Sequence, residues 1–368
     1  MIKKKILIAL QFFRRGGVEL VAINFARNLD RNKYEITFLL VGIDECHDVK
    51  LEKEIEDEGF NVVKLSSRGY FNRYKEILGI MKKERFDIVH SHVMFFSGLV
   101  AMAARCAGIK KRVTHSHVTK WNNKENLYFK VYKLIMRFVI NRFASDKLAC
   151  SKQAGIFLYG KRGITKNFYV LPNGIDINKF EFNEKFRKEI RKEFDIFEQE
   201  VLIGHIGTIY YIKNQEFIVK LLAEMRKTNK NIKLILVGEK ADCSAVDKAI
   251  ADTHMKNFVY LTGSRNDVYK FYSAFDIMIF PSHFEALPVS LIEAQAAQLP
   301  CLVSDTVTKD CKFNENFKFL SLKSDLTIWK KELEELIKTD RKKISMDFLK
   351  ENYDIANVIK KLNEIYLN

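Results

Sequence analysis

At 368 residues the chain is long enough for two domains of ordinary size, and 47% hydrophobic with 29% charged residues is a globular composition, not a disordered one. A net charge of +16 admits nucleic acid, an anionic membrane surface or plain solvation. The absence of RNP aromatics, zinc-finger spacing or a helix-turn-helix pairing argues against a nucleic-acid partner. The six cysteines show no C-x-x-C or Cys/His ligand spacing, which excludes the common zinc and redox motifs and reads as reduced core thiols of a cytoplasmic protein.

The basic start Lys3-Lys4-Lys5 followed by the apolar run 6–10 mimics a signal peptide. The run is too short for one and leads into Arg14-Arg15-Gly16-Gly17, so it reads as a first buried strand. Further strands are expected at 35–41, 62–65, 88–91, 111–115, 147–149 and 168–171, with helical patterns between them. Gly16-Gly17 lies between the first strand and the helix carrying Val21, Ala22, Phe25 and Leu29, where backbone can approach a ligand or simply make a tight turn. The longest apolar stretch, 93–104, falls well short of a membrane span.

Two His-Ser-His triplets, His90/His92 and His115/His117, each end a predicted strand. Alternation places both histidines of a triplet on one face, as a metal would need, but neither triplet has an evident third ligand. The segment 120–147 mixes lysine and arginine with large apolar and aromatic residues. It suits a helix at an anionic membrane interface, or a core helix with solvated lysines. Pro172-Asn173-Gly174 marks a turn between halves. A second strand series follows at 201–206, 233–237, 258–261, 277–280, 301–303 and 317–320, and a last helix at 355–366 carries Val358, Ile359, Leu362 and Ile365 at helical spacing. Strands alternating with helices in two series predict an α/β protein with two doubly wound parallel sheets, ligands binding at the carboxyl ends of the strands.

The stretch 277–304 holds the most chemistry. A short strand breaks at Pro281-Ser282, a loop carries Phe284 and Glu285, Pro288 suits the first turn of a helix running from 289 to about 298, and Pro300 precedes the next strand. A helix N-terminus offers free N–H groups to a diphosphate. Glu293, five residues on and roughly 7.5 Å along the axis, could accept both ribose hydroxyls, and Glu285 could hold a sugar attached to the diphosphate. A solvated acid is the commoner fate of such residues, yet Glu293 is set among Leu291, Ile292, Ala294, Ala296 and Ala297.

FPSHFEALPVSLIEAQAAQLPCLVSD resembles the E-x7-E signature of retaining, nucleotide-sugar-dependent glycosyltransferases of family 4, in the branch that builds bacterial exopolysaccharides and capsules. The resemblance spans essentially the whole chain and implies the GT-B fold, two Rossmann-like domains facing across a cleft. It places an acceptor-side domain at 1–172, a nucleotide-sugar domain at 173–352 and a final helix, 353–368, returning to the first domain. It implies that Glu285 and His115 serve catalysis, His115 standing against the donor sugar. Donor binding is implied for Gly16, Gly17, Lys213, Arg265, Ala286, Leu287, Val289 and Glu293. Lys213 comes from IGHIGTIYYIKNQEF, similar to the family's G-R-x(n)-K element with Thr208 in place of the arginine. Arg265 follows a loop similar to the one that reads the base, and Ala286 stands where the family has glycine. No D-x-D occurs, in keeping with diphosphate binding without a metal or other cofactor. The expected reaction transfers a hexose or N-acetylhexosamine, most readily from a UDP-sugar, to a lipid-linked or polysaccharide acceptor. The expected place is the inner face of the plasma membrane. A nucleotide-sugar 2-epimerase on the same fold, or a catalytically weak partner subunit, are the alternative readings.

Overall fold

In the computed structural model, residues 3–14, 16–42, 47–119, 126–164, 166–285, 287–339, 341 and 346–368 are described. Among the described residues the runs rich in Ile, Leu, Val and Phe form thirteen strands, the central ones buried on both faces as in parallel sheets covered by helices and the edge strands Asn61–Lys64 and Phe168–Val170 more exposed. The first seven are β1 (Lys4–Leu10), β2 (Tyr34–Leu40), β3 (Asn61–Lys64), β4 (Ile88–Ser91), β5 (Lys111–Ser116), β6 (Asp146–Ala149) and β7 (Phe168–Val170). The remaining six are β8 (Val201–Ile206), β9 (Ile232–Val237), β10 (Val259–Gly263), β11 (Ile277–Phe280), β12 (Cys301–Ser304) and β13 (Phe317–Leu320).

Two compact units contain them, one of Met1–Gly174 with Ile355–Asn368, the other of Ile175–Asp354. The sheet of the first runs β3-β2-β1-β4-β5-β6-β7, and that of the second β10-β9-β8-β11-β12-β13. In each, strand order reverses beside the first strand, between β1 and β4 and between β8 and β11. Those are the switch points where loops diverge and ligands bind.

In the first unit the terminal helix, Ile355–Leu367, buries Val358, Ile359, Leu362 and Ile365 and packs against the helix Gly17–Asn28. Asn24 Nδ2 donates to the Gly174 carbonyl at 3.0 Å, fixing the turn at the end of that unit. In the second unit the core gathers around Trp329, fully buried, edge-on to Phe217 and donating its indole N–H to the Ser321 carbonyl at 3.0 Å. Arg187 and Arg191 clasp Asp276, whose carboxylate also accepts from the Leu202 N–H at 2.7 Å, tying the helix Glu184–Glu193 to the ends of β8 and β11.

The helix expected to run to about 298 is Val289–Ala296. Gln298 takes a left-handed φ of 54° ahead of Leu299-Pro300, and proline cannot continue a helix. Pro288 stands at the cap, in extended conformation, not inside the first turn. The segment expected to be an interface or core helix is the helix Leu127–Phe143, and within it only Ile140 is fully buried; residues 120–125 lie outside the described residues.

At Gly204, in the middle of β8, an added Cβ would be driven into the ring of the fully buried Phe275. Gly204→Ala is therefore expected to destabilise the second unit by about 1–3 kcal/mol, the usual cost of overpacking. Denaturant unfolding of the two proteins side by side measures it.

Candidate functional site

Two loops meet at the β8/β11 switch point, and the backbone ties them together. After β8 the chain runs through Gly207 and Thr208 to a 3-10 turn, Tyr211–Lys213, then by way of Asn214, left-handed at φ 55°, into the helix Gln215–Arg226. After β11 it runs through Pro281-Ser282-His283 to Glu285. His283 N–H donates to the Ile212 carbonyl at 2.8 Å, and Asn214 Nδ2 to the Pro281 carbonyl at 3.1 Å. The Ser304 and Thr306 hydroxyls both donate to the Ser282 carbonyl, at 2.5 and 2.6 Å. Gly238, at φ 151°, lets the loop after β9 press on Gly207; any Cβ there would collide with the Gly207 carbonyl.

These ties bring Lys213 Nζ within 2.6 Å of Glu285 Oε1, with side chains only 15% and 18% exposed. The ammonium also lies 5.0 Å from the Phe280 ring centre. Lys213 was expected to meet a diphosphate and Glu285 a sugar; without a ligand each is the other's partner. Removing either would strand a half-buried charge.

The helix Val289–Ala296 starts at Pro288 with no side-chain cap, and of its first turn the Leu291 N–H donates to the Pro288 carbonyl at 3.1 Å. Leu287 is buried beneath the start of the helix, Val289 is its first residue, and Ala286 lies outside the described residues. Glu293 accepts from the Tyr272 hydroxyl at 2.5 Å. Burial pushes its pKa up to about 7, against the opposing pull of that hydroxyl and of Lys179. Its neighbour Gln295 shows what a purely structural polar residue looks like here. It donates to the Leu291 and Cys311 carbonyls and accepts from the Phe313 and Asn314 N–H groups. Glu293 Oε1 has no protein hydrogen bond among the described residues, and the residue is only partly buried, so that oxygen is not shut off from solvent.

His205, at the end of β8, was not singled out from the sequence. Its Nδ1–H donates to the Ile279 carbonyl across to β11 at 2.9 Å, and Gln215 Nε2 stands 3.3 Å from its Nε2 and 3.0 Å from the Thr208 carbonyl. Burial lowers its pKa to about 3, so it is a neutral strut. Arg265 is engaged on both sides, by Glu193 at 2.6 and 3.0 Å and by Asp267 at 2.8 and 2.9 Å. Its guanidinium thus anchors the loop after β10, and a base could meet only that loop's backbone without breaking these pairs.

In the first unit Gly16 caps the helix Gly17–Asn28, and the buried Glu19 carboxyl lies over Gly16; Gly17 has open space where a Cβ would go. The two histidine triplets, each short of a third ligand when read alone, come together, because β4 and β5 pair in parallel with His90 opposite Val113. The His90 and His115 rings lie 5.4 Å apart and those of His92 and His117 5.1 Å apart. His115 also stacks on Phe25 at 6.1 Å. Burial holds all four imidazoles below their ordinary pKa, His117 at about 4. Tyr366, on the terminal helix, places its hydroxyl 2.7 Å from His90 Nδ1. No spacing in the sequence linked Tyr366 to His90, or Tyr272 to Glu293.

Residues 15–179 match the family model described as Glycosyltransferase Family 4, and residues 186–357 the model described as Glycosyl transferases group 1. The putative glycosyltransferase EpsF of Bacillus subtilis is 30% identical over 375 residues, covering 99% of this chain and 96% of that protein. The capsular polysaccharide biosynthesis glycosyltransferase CapH of Staphylococcus aureus is 26% identical over 372 residues, covering 99% of each. Among solved structures, Anabaena HepE in complex with UDP-glucose superposes with a TM-score of 0.80 at 17% identity, covering 98% of both chains. The chain belongs to glycosyltransferase family 4 and is a glycosyltransferase built on the GT-B fold.

Proposed function

We propose that this enzyme transfers a hexosyl or N-acetylhexosaminyl group, with retention at the anomeric carbon, from a UDP-sugar to a lipid-linked or polysaccharide acceptor in bacterial surface-polysaccharide synthesis. The observation that carries the reading is the pairing of Lys213 with Glu285 beside the uncapped start of the helix bearing Glu293. A UDP-sugar matches that arrangement group for group. Its diphosphate takes Lys213 and the helix N–H groups, its sugar hydroxyls take Glu285, and its ribose takes the open Oε1 of Glu293. Leu287 and Val289 line the approach to the helix end. The loop after β10 meets the base through backbone, with Arg265 as its anchor. Support for the donor comes from the HepE complex with UDP-glucose, and for the acceptor from the name of CapH.

Catalysis on this reading is electrostatic: charge building on the departing diphosphate is met by Lys213 and the helix end, so the site asks for no metal and no organic cofactor. Retention fits a front-side attack in which the leaving phosphate accepts the acceptor hydroxyl's proton. His115, in the first unit, is the second residue assigned to catalysis, as a neutral imidazole that hydrogen-bonds the sugar.

The acceptor reading draws on the helix Leu127–Phe143. Leu127, Tyr128, Val131, Leu134, Ile135 and Phe138 are exposed along it, Leu127 at 78% and Phe138 at 71%, with exposed Lys130 and Arg142 on the same helix. Tyr70 rests on Tyr132 at 5.5 Å, and Phe71 beside it is exposed too. No helix among the described residues is long and apolar enough to cross a membrane. An apolar stripe flanked by cations is what lies in an anionic bilayer interface, where lipid-linked acceptors are presented.

Thermal-shift titration with UDP, GDP, ADP and their sugars, without added metal, is expected to single out UDP and a UDP-sugar, since a ligand of the folded state raises the melting temperature. Glu293→Ala should weaken UDP binding by roughly 10- to 100-fold, the worth of a hydrogen bond to a charged group. Glu285→Ala should mainly lower turnover, by roughly 10²–10³-fold. Full activity in both variants would overturn the site.

Glu293 also makes binding pH-dependent. Its folded pKa, about 7, lies above the ordinary 4.5, so in the free enzyme stability is highest below pH 4.5 as far as this group is concerned and falls as the pH rises through 7. Ribose favours the carboxylate, so UDP affinity should rise over that same range. Calorimetry at several pH values should show the rise in the wild type and a flat profile in Glu293→Gln.

Flotation with liposomes is expected to recover the protein with anionic but not neutral lipid, and Leu134→Glu/Phe138→Glu should abolish recovery while leaving UDP binding intact.

A further inference from the structure

The cluster at the ends of β4 and β5 is not used up by the transfer reaction, which needs at most His115. Its four imidazoles have eight ring nitrogens. Three of them, His92 Nε2, His115 Nε2 and His117 Nδ1, are buried without a well-formed hydrogen bond, although the Leu171 backbone lies close to His115 and the Asn173 side chain close to His117. A nitrogen left so in a folded core calls for a partner, and the contact of His92 Nδ1 with His117 leaves the orphaned His92 Nε2 as the atom free to ligate.

We propose that His90, His92 and His115 form a binding site for a divalent transition metal of borderline softness, zinc foremost. Ligating nitrogens from the three residues lie within 4.8 Å of one another. His90 Nε2 and His115 Nδ1 stand 3.3 Å apart, long for a hydrogen bond between two imidazoles. It is about the edge of a tetrahedron built on nitrogen–zinc bonds of about 2.05 Å.

The outer nitrogens are already held in the manner of a metal's supporting shell. Tyr366 hydroxyl meets His90 Nδ1 at 2.7 Å, and His117 Nε2 meets His92 Nδ1 at 2.8 Å. Both contacts leave the Nε2 of their histidine as the ligating atom. The backbone under the cluster is stiff, since β4 and β5 are hydrogen-bonded neighbours and the His92 N–H donates to the Ala9 carbonyl at 2.9 Å. Imidazole sets of this kind suit zinc, copper, nickel and cobalt, not magnesium or calcium. His117, the one member not fully buried, offers the way in.

The three histidines belong to the first unit, and Lys213 and Glu293 to the second. On the reading that His115 serves the sugar, a clause on which only this consequence rests, a bound ion would occupy that ring and inhibit transfer.

The test uses the full chain stripped with a chelator and then freed of it. Calorimetric titration with zinc, and with cobalt followed by its visible ligand-field absorption, is expected to show one saturable site with nitrogen ligation. His92→Ala should remove it and His254→Asn, an exposed histidine elsewhere, should not. Tyr366→Phe should weaken the metal by roughly 10- to 100-fold, the usual effect of losing a supporting partner, and it decides the matter if His92→Ala fails to fold. No saturable uptake, uptake unchanged by Tyr366→Phe, or loss in His254→Asn would overturn the proposal and leave a buried water as the occupant. None of these readouts involves a nucleotide sugar, so failure here is distinct from failure of the glycosyl-transfer reading.

Discussion

In a doubly wound sheet the loops after the two strands flanking the switch point turn to opposite faces, leaving a crevice that side chains on neither loop can fill alone. In the second unit those strands are β8 and β11, paired through Ile277 with Ile203 and Met278 with Gly204. The loops that follow both strands hang on that short pairing. Gly204 leaves room for Phe275, Asp276 locks to the Leu202 N–H, and His205 reaches across to the Ile279 carbonyl. With the strand ends fixed, the two loops need only a few backbone bonds to hold Lys213 against Glu285.

The same arrangement explains why polar residues in the core of this unit divide so sharply. Gln295, His205 and Asp276 have partners for the groups they bury and serve as struts. Glu293, only partly buried, has one carboxylate oxygen on Tyr272 and keeps the other free of protein partners, and the helix start at Pro288 carries no side-chain cap.

Much of the fold was legible from sequence because its signals are local. Runs such as IMIF and LILV are too apolar for a half-exposed strand, and glycine and proline punctuate them, so every strand could be placed to within a residue or two. The E-x7-E stretch was legible for the same reason, its loop, proline and helix being contiguous. What escaped depends on non-local register. Lys213 and Glu285 were assigned separate partners because 72 residues of chain hide their contact. The histidine triplets lacked a third ligand only until β4 was laid beside β5. Nothing local announces that Tyr272 meets Glu293, or that Arg265 is held by Glu193.

On the proposed reading of the site, the Lys213–Glu285 pair bears on the end of the catalytic cycle. A lysine paired with a glutamate presents little net field to stray anions, so inorganic phosphate or a bare nucleotide would compete with an internal counter-ion. A donor carrying both sugar and diphosphate offers a replacement for each half of the pair at once. After transfer the sugar is gone, Glu285 regains its claim on the ammonium, and the remaining diphosphate is held by one fewer anchor. The pair thus acts as a spring that yields to substrate and recoils against product.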